Sequence, residues 1–194
     1  MAKDAKRLLR DATWDLLSNQ GIKACKVQDI CSKAGLSKMT FYYYFNNKYD
    51  VIDQVLKAFF EDALERSESI ILSNDPFHDK IMQILHWKAD LIKELSPQFL
   101  QELYSSEGKF VDYMKDSMLK TQKLMFDFFN EGILTGEINK SLDLEVIMFW
   151  INAVFNLMIE GEFDHLFDDP REMNRQIRDL ILYGILGNNN EEVH

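Results

Sequence analysis

The stretch AGLSKMTFYYYFNNK, Ala34 to Lys48, decides how the beginning of the chain folds. Phe41, Tyr42, Tyr43, Tyr44 and Phe45 follow one another without interruption, with Lys38 and Thr40 before them and Lys48 after. A helix through this row buries one face only, so some of the rings must look outward. Phe41 and Phe45 are four apart and share a face, which turns in against Leu36 and the first helix of the chain, with Tyr42 beside them. Tyr43 and Tyr44 fall on other faces, where a phenol hydroxyl reaches a phosphate or a base edge. An ordinary aromatic core beside a surface lysine would leave three consecutive tyrosines without a reason.

Immediately upstream, Val27, Ile30, Cys31 and Ala34 make an i, i+3, i+4, i+7 stripe that predicts a helix over about 27–34. Gly35 can take the left-handed conformation that ends it, Leu36 is an apolar plug, and Ser37 is a good N-cap for the next helix. Two short helices on so tight a turn are a helix-turn-helix. In that unit the start of the second helix enters a major groove, and here those positions are Lys38, Met39 and Thr40. Lys48 opens the following helix, where its ammonium and the free N–H groups of the first turn can meet a phosphate oxygen.

Outward from this motif the chain of 194 residues reads as all-α. It has three prolines and eight glycines, and its apolar residues recur every three or four positions. A first helix covers about residues 3–19, with Leu9, Ala12 and Leu16 on one face, and ends near Gly21. Later helices are expected at about 48–73, 76–94, 97–105, 108–132, 143–160 and 171–186. Asp75-Pro76, Ser96-Pro97 and Asp169-Pro170 each set a capping side chain before a proline suited to a first helical position, and Glu172 falls where a capping-box acid would sit. The division falls near residue 50, inside a helix. Residues 1–48 are then a helix-turn-helix domain, 49–187 a helical body and 188–194 a disordered tail.

Charge separates the same two regions. Residues 1–50 carry nine lysines and arginines against five acids, and the remainder thirteen against twenty-seven, within a net charge of -10. A basic head on an acidic body suits a small region that approaches phosphate. Cys25 and Cys31, six apart, fit neither a zinc half-site nor a disulfide framework. The N-terminus lacks a signal segment and no apolar run of membrane length occurs, so a cytoplasmic protein is expected. No phosphate-binding loop, HExxH or GxSxG sequence is present, and the acids around His165 read as a solvated loop rather than a metal site. No enzyme, metal or cofactor is expected.

From Leu9 to Val55 the sequence closely resembles the N-terminal domain of the tetracycline-repressor (TetR) family of bacterial transcription regulators. The pattern joins Ala12, Leu16, Gly21, Val27, Ile30, Ala34-Gly35-Leu36-Ser37, Phe41-Tyr42, Phe45 and Lys48. The resemblance implies a helical homodimer whose head binds operator DNA and whose body binds a small molecule. It would put Tyr42, Tyr44 and Lys48 on phosphates and Lys38, Thr40 and Tyr43 nearest the bases, with Ser37 at the helix start. Met39 stands where the family usually has a small residue, and Lys26 where it often has threonine, which substitutes a charge contact for a hydroxyl cap.

In the body, VIMFWINAVFNLMI, Val146 to Ile159, is apolar nearly all round and must be covered on most sides. With the next helix it suits half of a four-helix dimer contact, through Ile147, Ile151, Val154, Phe155, Met158, Ile177, Leu180, Ile181 and Gly184. The alternative is a core wholly within the chain. His86, Trp87, Asp90, Leu91, Phe99, Leu103, Tyr104, Phe110, Tyr113, Met114, Met118 and Trp150 are the candidates for an adaptable effector pocket. A ligand-responsive repressor is the leading expectation, and an adaptor whose head contacts a protein is the other.

Overall fold

The computed structural model describes residues 2–104, 111–160, 162–163, 165–166 and 169–185. The described residues contain α1 (Ala2–Ala24), α2 (Val27–Ala34), α3 (Lys38–Tyr44), α4 (Lys48–Ile71), α5 (Phe77–Glu94), α6 (Pro97–Tyr104), α7 (Val111–Thr135), α8 (Leu144–Ile159) and α9 (Pro170–Ile185), and no strand. The all-α expectation holds. The 188–194 tail and Phe110 lie outside the described residues.

Local chemistry accounts for the helix ends. The Phe99 N–H donates to Ser96 Oγ at 3.2 Å, the cap expected of Ser96-Pro97. At Asp75-Pro76 the outcome differs. Pro76 lies one residue ahead of α5, its carbonyl accepting from the Lys80 N–H, while Asp75 Oδ2 accepts from Ser73 Oγ at 3.1 Å and Gln83 Nε2 at 2.9 Å. Glu172 bonds along its own helix. Its carboxylate accepts from Arg175 Nε at 2.9 Å, from the same guanidinium at 2.6 Å and from Gln176 at 2.7 Å. Those bonds, Arg175 above all, pull its pKa down to about 2.

The chain packs as two compact units, Met1–Leu64 with Lys93–Ser117, and Glu65–Ile92 with Met118–His194. Packing therefore does not divide the chain at residue 48. In the first unit α1 lies against α2, α3 and α6. Leu9, Ala12, Thr13, Leu17, Ser18 and Gly21 are among its buried residues, and Leu16, expected on that face, is half-buried. The arc at i, i+3, i+4 and i+8 is wide because α1 is covered from more than one side. Thr13 is tolerated there because its hydroxyl donates to Leu9 O at 2.7 Å. Trp14 stacks on Phe59 at 4.8 Å and meets Phe99 edge-on at 5.9 Å, and the Ser96 N–H donates to Ser18 O at 2.7 Å, which fixes α6 on α1.

The second unit has its own core, built from Ile81, Ile84 and Leu85 of α5, Met125, Phe128 and Phe129 of α7, Ile147, Ile151 and Val154 of α8, and Met173, Ile177 and Ile185 of α9. Phe77 stacks on Phe128 at 4.6 Å. Gly132 is what allows this, since a Cβ there would overlap the Phe77 ring and stand 2.9 Å from Ile138 Cδ1. Gly132→Ala should therefore destabilise the protein by about 1–3 kcal/mol, read as a lower urea midpoint with an unchanged m-value.

Candidate nucleic-acid interface

The turn between α2 and α3 is built as the sequence dictates. Gly35 takes φ 66° and ψ 29°, and the N–H groups of Gly35 and Leu36 return to Ser32 O at 3.3 Å and Cys31 O at 3.0 Å. Ser37 caps α3, its Oγ accepting from the Thr40 N–H at 3.0 Å and sharing a hydrogen bond with Thr40 Oγ1 at 2.9 Å. Lys26 stands at the N-cap of α2 with no side-chain capping bond, leaving its ammonium at the exposed surface.

Burial then fixes which way α3 faces. Phe41 and Phe45 are fully buried, their ring centroids 5.5 Å apart, and Leu9, Leu17, Cys25, Ile30, Val51 and Ile52 of the same unit are buried too. The opposite face carries Met39, Tyr42 and Tyr43, which are 83%, 57% and 80% exposed, with Lys38 exposed beside them. Thr40 and Tyr44 are half-buried. Tyr42 meets Phe41 edge-on at 5.4 Å, and Tyr43 meets Tyr44 edge-on at 4.8 Å, so the outward rings are braced rather than loose. Lys6, above the Phe45 ring at 5.8 Å, adds a cation to the same head.

Lys48 has partners within the head itself. Its ammonium donates to the carbonyls of Ile22 at 3.3 Å, Lys23 at 3.4 Å and Cys25 at 3.0 Å, and lies 5.3 Å from the Tyr49 ring centroid. The last turn of α1 has carbonyls without helical N–H partners, and a cation beside them is favourable for that reason. The start of α4 is capped instead by Asn47, whose Oδ1 accepts from the N–H groups of Tyr49 at 2.9 Å and Asp50 at 3.2 Å. Asp50 returns a bond to the Asn46 N–H at 3.0 Å. Asn followed by Asp three residues later was the sequence signal for this cap.

A helix-turn-helix whose second helix presents cationic, hydroxyl and aromatic groups outward is a DNA-reading device in geometry. Residues 9–55 match the family described as bacterial regulatory proteins, tetR family. Over that segment the chain is similar to the TetR family. Over 182 residues it is 24% identical to the fatty acid metabolism regulator protein of Bacillus subtilis, covering 90% of this chain and 92% of that protein. Over 138 residues it is 22% identical to the transcriptional repressor KstR2 of Mycolicibacterium smegmatis, covering 68% of this chain and 66% of the relative, just under two thirds of its length. Among solved structures, FadR from Bacillus subtilis in complex with stearoyl-CoA superposes with a TM-score of 0.73 at 21% identity, covering 92% of this chain and 98% of that one. A regulator from Saccharomonospora viridis in complex with choline gives 0.76 at 15% identity, covering 96% and 100%.

The expected pocket residues fall in both units. His86, Trp87 and Asp90 line an open hollow of about 440 Å³ in the second unit, with Arg66, Ser69, Ile70 and Gln83. The Arg66 guanidinium lies 5.3 Å from the Trp87 ring centroid. Leu91 is half-buried and Trp150 is 40% exposed. Phe99 and Leu103 are buried in the first unit, where Phe99 packs on Trp14. The side chains of Tyr104, Tyr113, Met114 and Met118 lie outside the described residues. Arg66, Ser69 and Gln83 were missed because no residue pattern links the end of α4 to α5.

The expected dimer residues separate in the same way. Ile147, Ile151, Val154 and Ile177 are buried in the second unit's own core and are not open to a partner. Leu180 is 66% exposed and Gly184 has open space around it. Other apolar residues do face outward: Val146, Phe149, Trp150 and Leu157 on α8, and Tyr183 on α9. An α8 that is apolar on both faces gave the sequence no way to tell inner from outer. The side chains of Phe155, Met158 and Ile181 lie outside the described residues.

Two measurements check the head. Ser37→Ala should cost about 1 kcal/mol of stability, since it removes the α3 cap. Burial, partly offset by Lys48, raises the Cys25 thiol from its ordinary 9.0 to about 11. The unfolded chain therefore ionises first, so the stability linked to this thiol, full below pH 9, should fall between about pH 9 and 11. Cys25 should also resist a thiol reagent at pH 8 until the head unfolds.

Proposed function

We propose that this regulator is a cytoplasmic, ligand-responsive repressor rather than an enzyme, binding a palindromic operator as a homodimer and using no cofactor. The observation that carries this reading is the outward face of α3: Lys38, Met39, Tyr42 and Tyr43 are exposed while Phe41 and Phe45 are buried behind them. Residues 1–48 act as the reading head, and 49–187 as the part that dimerises and holds the effector. Lys38, Met39, Thr40 and Tyr43 address base edges, Met39 offering its thioether to a thymine methyl, and Lys26, Ser37, Tyr42 and Tyr44 address phosphates. The basic surplus of residues 1–50 favours that approach.

The dimer contact proposed here uses the faces that remain outward, Phe149 and Trp150 on α8 with Leu180, Tyr183 and the open Gly184 on α9. Apolar side chains of this size on adjoining helices suit a two-fold mate. The effector is proposed to be an amphipathic small molecule in the body. An acyl thioester is the first to try, because the Bacillus subtilis structure of similar fold is in complex with stearoyl-CoA.

A DNA fragment from upstream of the regulator's own gene should be retarded in a gel by the wild-type chain. Met39→Ala and Tyr43→Ala should each weaken binding about tenfold, roughly 1.4 kcal/mol, without altering the fold. Affinity should fall by about 10³–10⁵ between 50 and 200 mM salt if six to ten phosphates are contacted. An affinity indifferent to salt, or no retardation at all, would favour a head that contacts a protein. Separately, Phe149→Glu with Tyr183→Glu should halve the mass measured by light scattering.

A further inference from the structure

The break in α1 and the two charged groups around it form an arrangement that the DNA-binding face itself does not require. Gly21 takes φ 85° and ψ 172°, which interrupts the hydrogen-bond ladder and leaves the next amides as the start of a fresh helical turn. Those amides are met by a side chain about eighty positions away. Glu102 Oε2 of α6 accepts from the N–H groups of Ile22 and Lys23, the latter at 3.1 Å, and its Oε1 accepts from Gln98 Nε2 at 2.6 Å. The approach is close enough that a Cβ on Gly21 would stand 2.8 Å from Glu102 Oε2 and 2.9 Å from Gln98 Cγ. Glu102 thus acts as an N-cap supplied from another helix.

At its other end the same short segment offers the carbonyls of Ile22, Lys23 and Cys25, and all three accept from the Lys48 ammonium. An anion on α6 therefore holds the N–H end of residues 22–25, and a cation on α4 holds the C=O end. Lys48 is three residues past Phe45, the buried anchor that follows α3. We infer that Glu102 and Lys48 are a pair of positioning residues that carry the placement of α6 through residues 21–25 to the recognition helix, and that Lys48 is not a phosphate contact. The inference rests on α3 being the reading helix, as proposed above.

Each end of the arrangement is a charge-assisted hydrogen bond to a backbone that has no helical partner there, so loosening one end frees the segment from the other. Hydrogen exchange monitored by mass spectrometry tests this without DNA. Glu102→Gln and Lys48→Met should each speed exchange of residues 21–26 by about tenfold or more. Glu102→Gln should also speed exchange at residues 45–50, beyond the amides of Ile22 and Lys23 that it holds, and Lys48→Arg should restore much of the protection. Exchange changes from Glu102→Gln that stop at residue 24 would overturn the inference. If Lys48→Met does not fold, Lys48→Gln, which keeps a donor, takes its place.

Binding to a duplex from upstream of the gene supplies the second arm. Lys48→Met should weaken binding while leaving the slope of log K against log salt at the wild-type value. A slope reduced by about one would make Lys48 a phosphate contact and overturn its assignment. Absence of wild-type DNA binding would sink the proposed function, and the exchange arm would still decide whether the two residues are linked.

Discussion

Burying Phe41 and Phe45 is the constraint from which the head follows. Both rings are almost fully withdrawn from water, and α3 is only seven residues long, so it has no independent stability and stands where these two anchors put it. Each buried ring contributes roughly 1.5–3 kcal/mol relative to an exposed one, more than any single surface contact of the head. Because the anchors are four apart, the residues between and before them have no freedom of direction. Met39, Tyr42 and Tyr43 are turned to solvent by the same geometry that hides the phenylalanines. A face of this size and chemistry has an evident use against a nucleic acid and little use as a bare surface.

Charge is distributed in keeping with that geometry. An acidic protein is repelled by DNA as a whole, yet screening confines this repulsion to about 10 Å at 0.1 M salt, so the local surplus of bases at the head governs a close approach. Within the head the cations also divide. Lys26 and Lys38 are exposed, Lys33 pairs with Asp15, and Lys48 is turned onto the end of α1. Counting lysines in a sequence overstates how many are available to phosphate, because helix C-termini compete for the same groups.

The second unit solves a different problem with one unusually apolar helix. One side of α8 supplies Ile147, Ile151 and Val154 to the core, while Val146, Phe149, Trp150 and Leu157 remain outward. A helix with a wet face would show a single stripe and end the matter there. This one has two, an inner stripe in the core and an outer stripe left exposed.

Much of this was legible in the residues themselves, for reasons that are local. The Gly35 turn, the Ser37 cap, the inward phenylalanines and the helical map depend on neighbours within a few positions, where period and capping chemistry act directly. Where a cap departed from expectation, at Asp75, the side chain found a nearby partner the pattern did not rank, Gln83. Tertiary structure alone decided the rest. Which stripe of α8 faces inward depends on α5, α7 and α9, and the grouping of His86, Trp87 and Asp90 with Arg66 depends on how the end of α4 lies beside α5. The linkage of Glu102 to Ile22 and of Lys48 to Cys25 joins residues far apart in the chain through backbone groups, which every residue type carries, so no sequence pattern marks it.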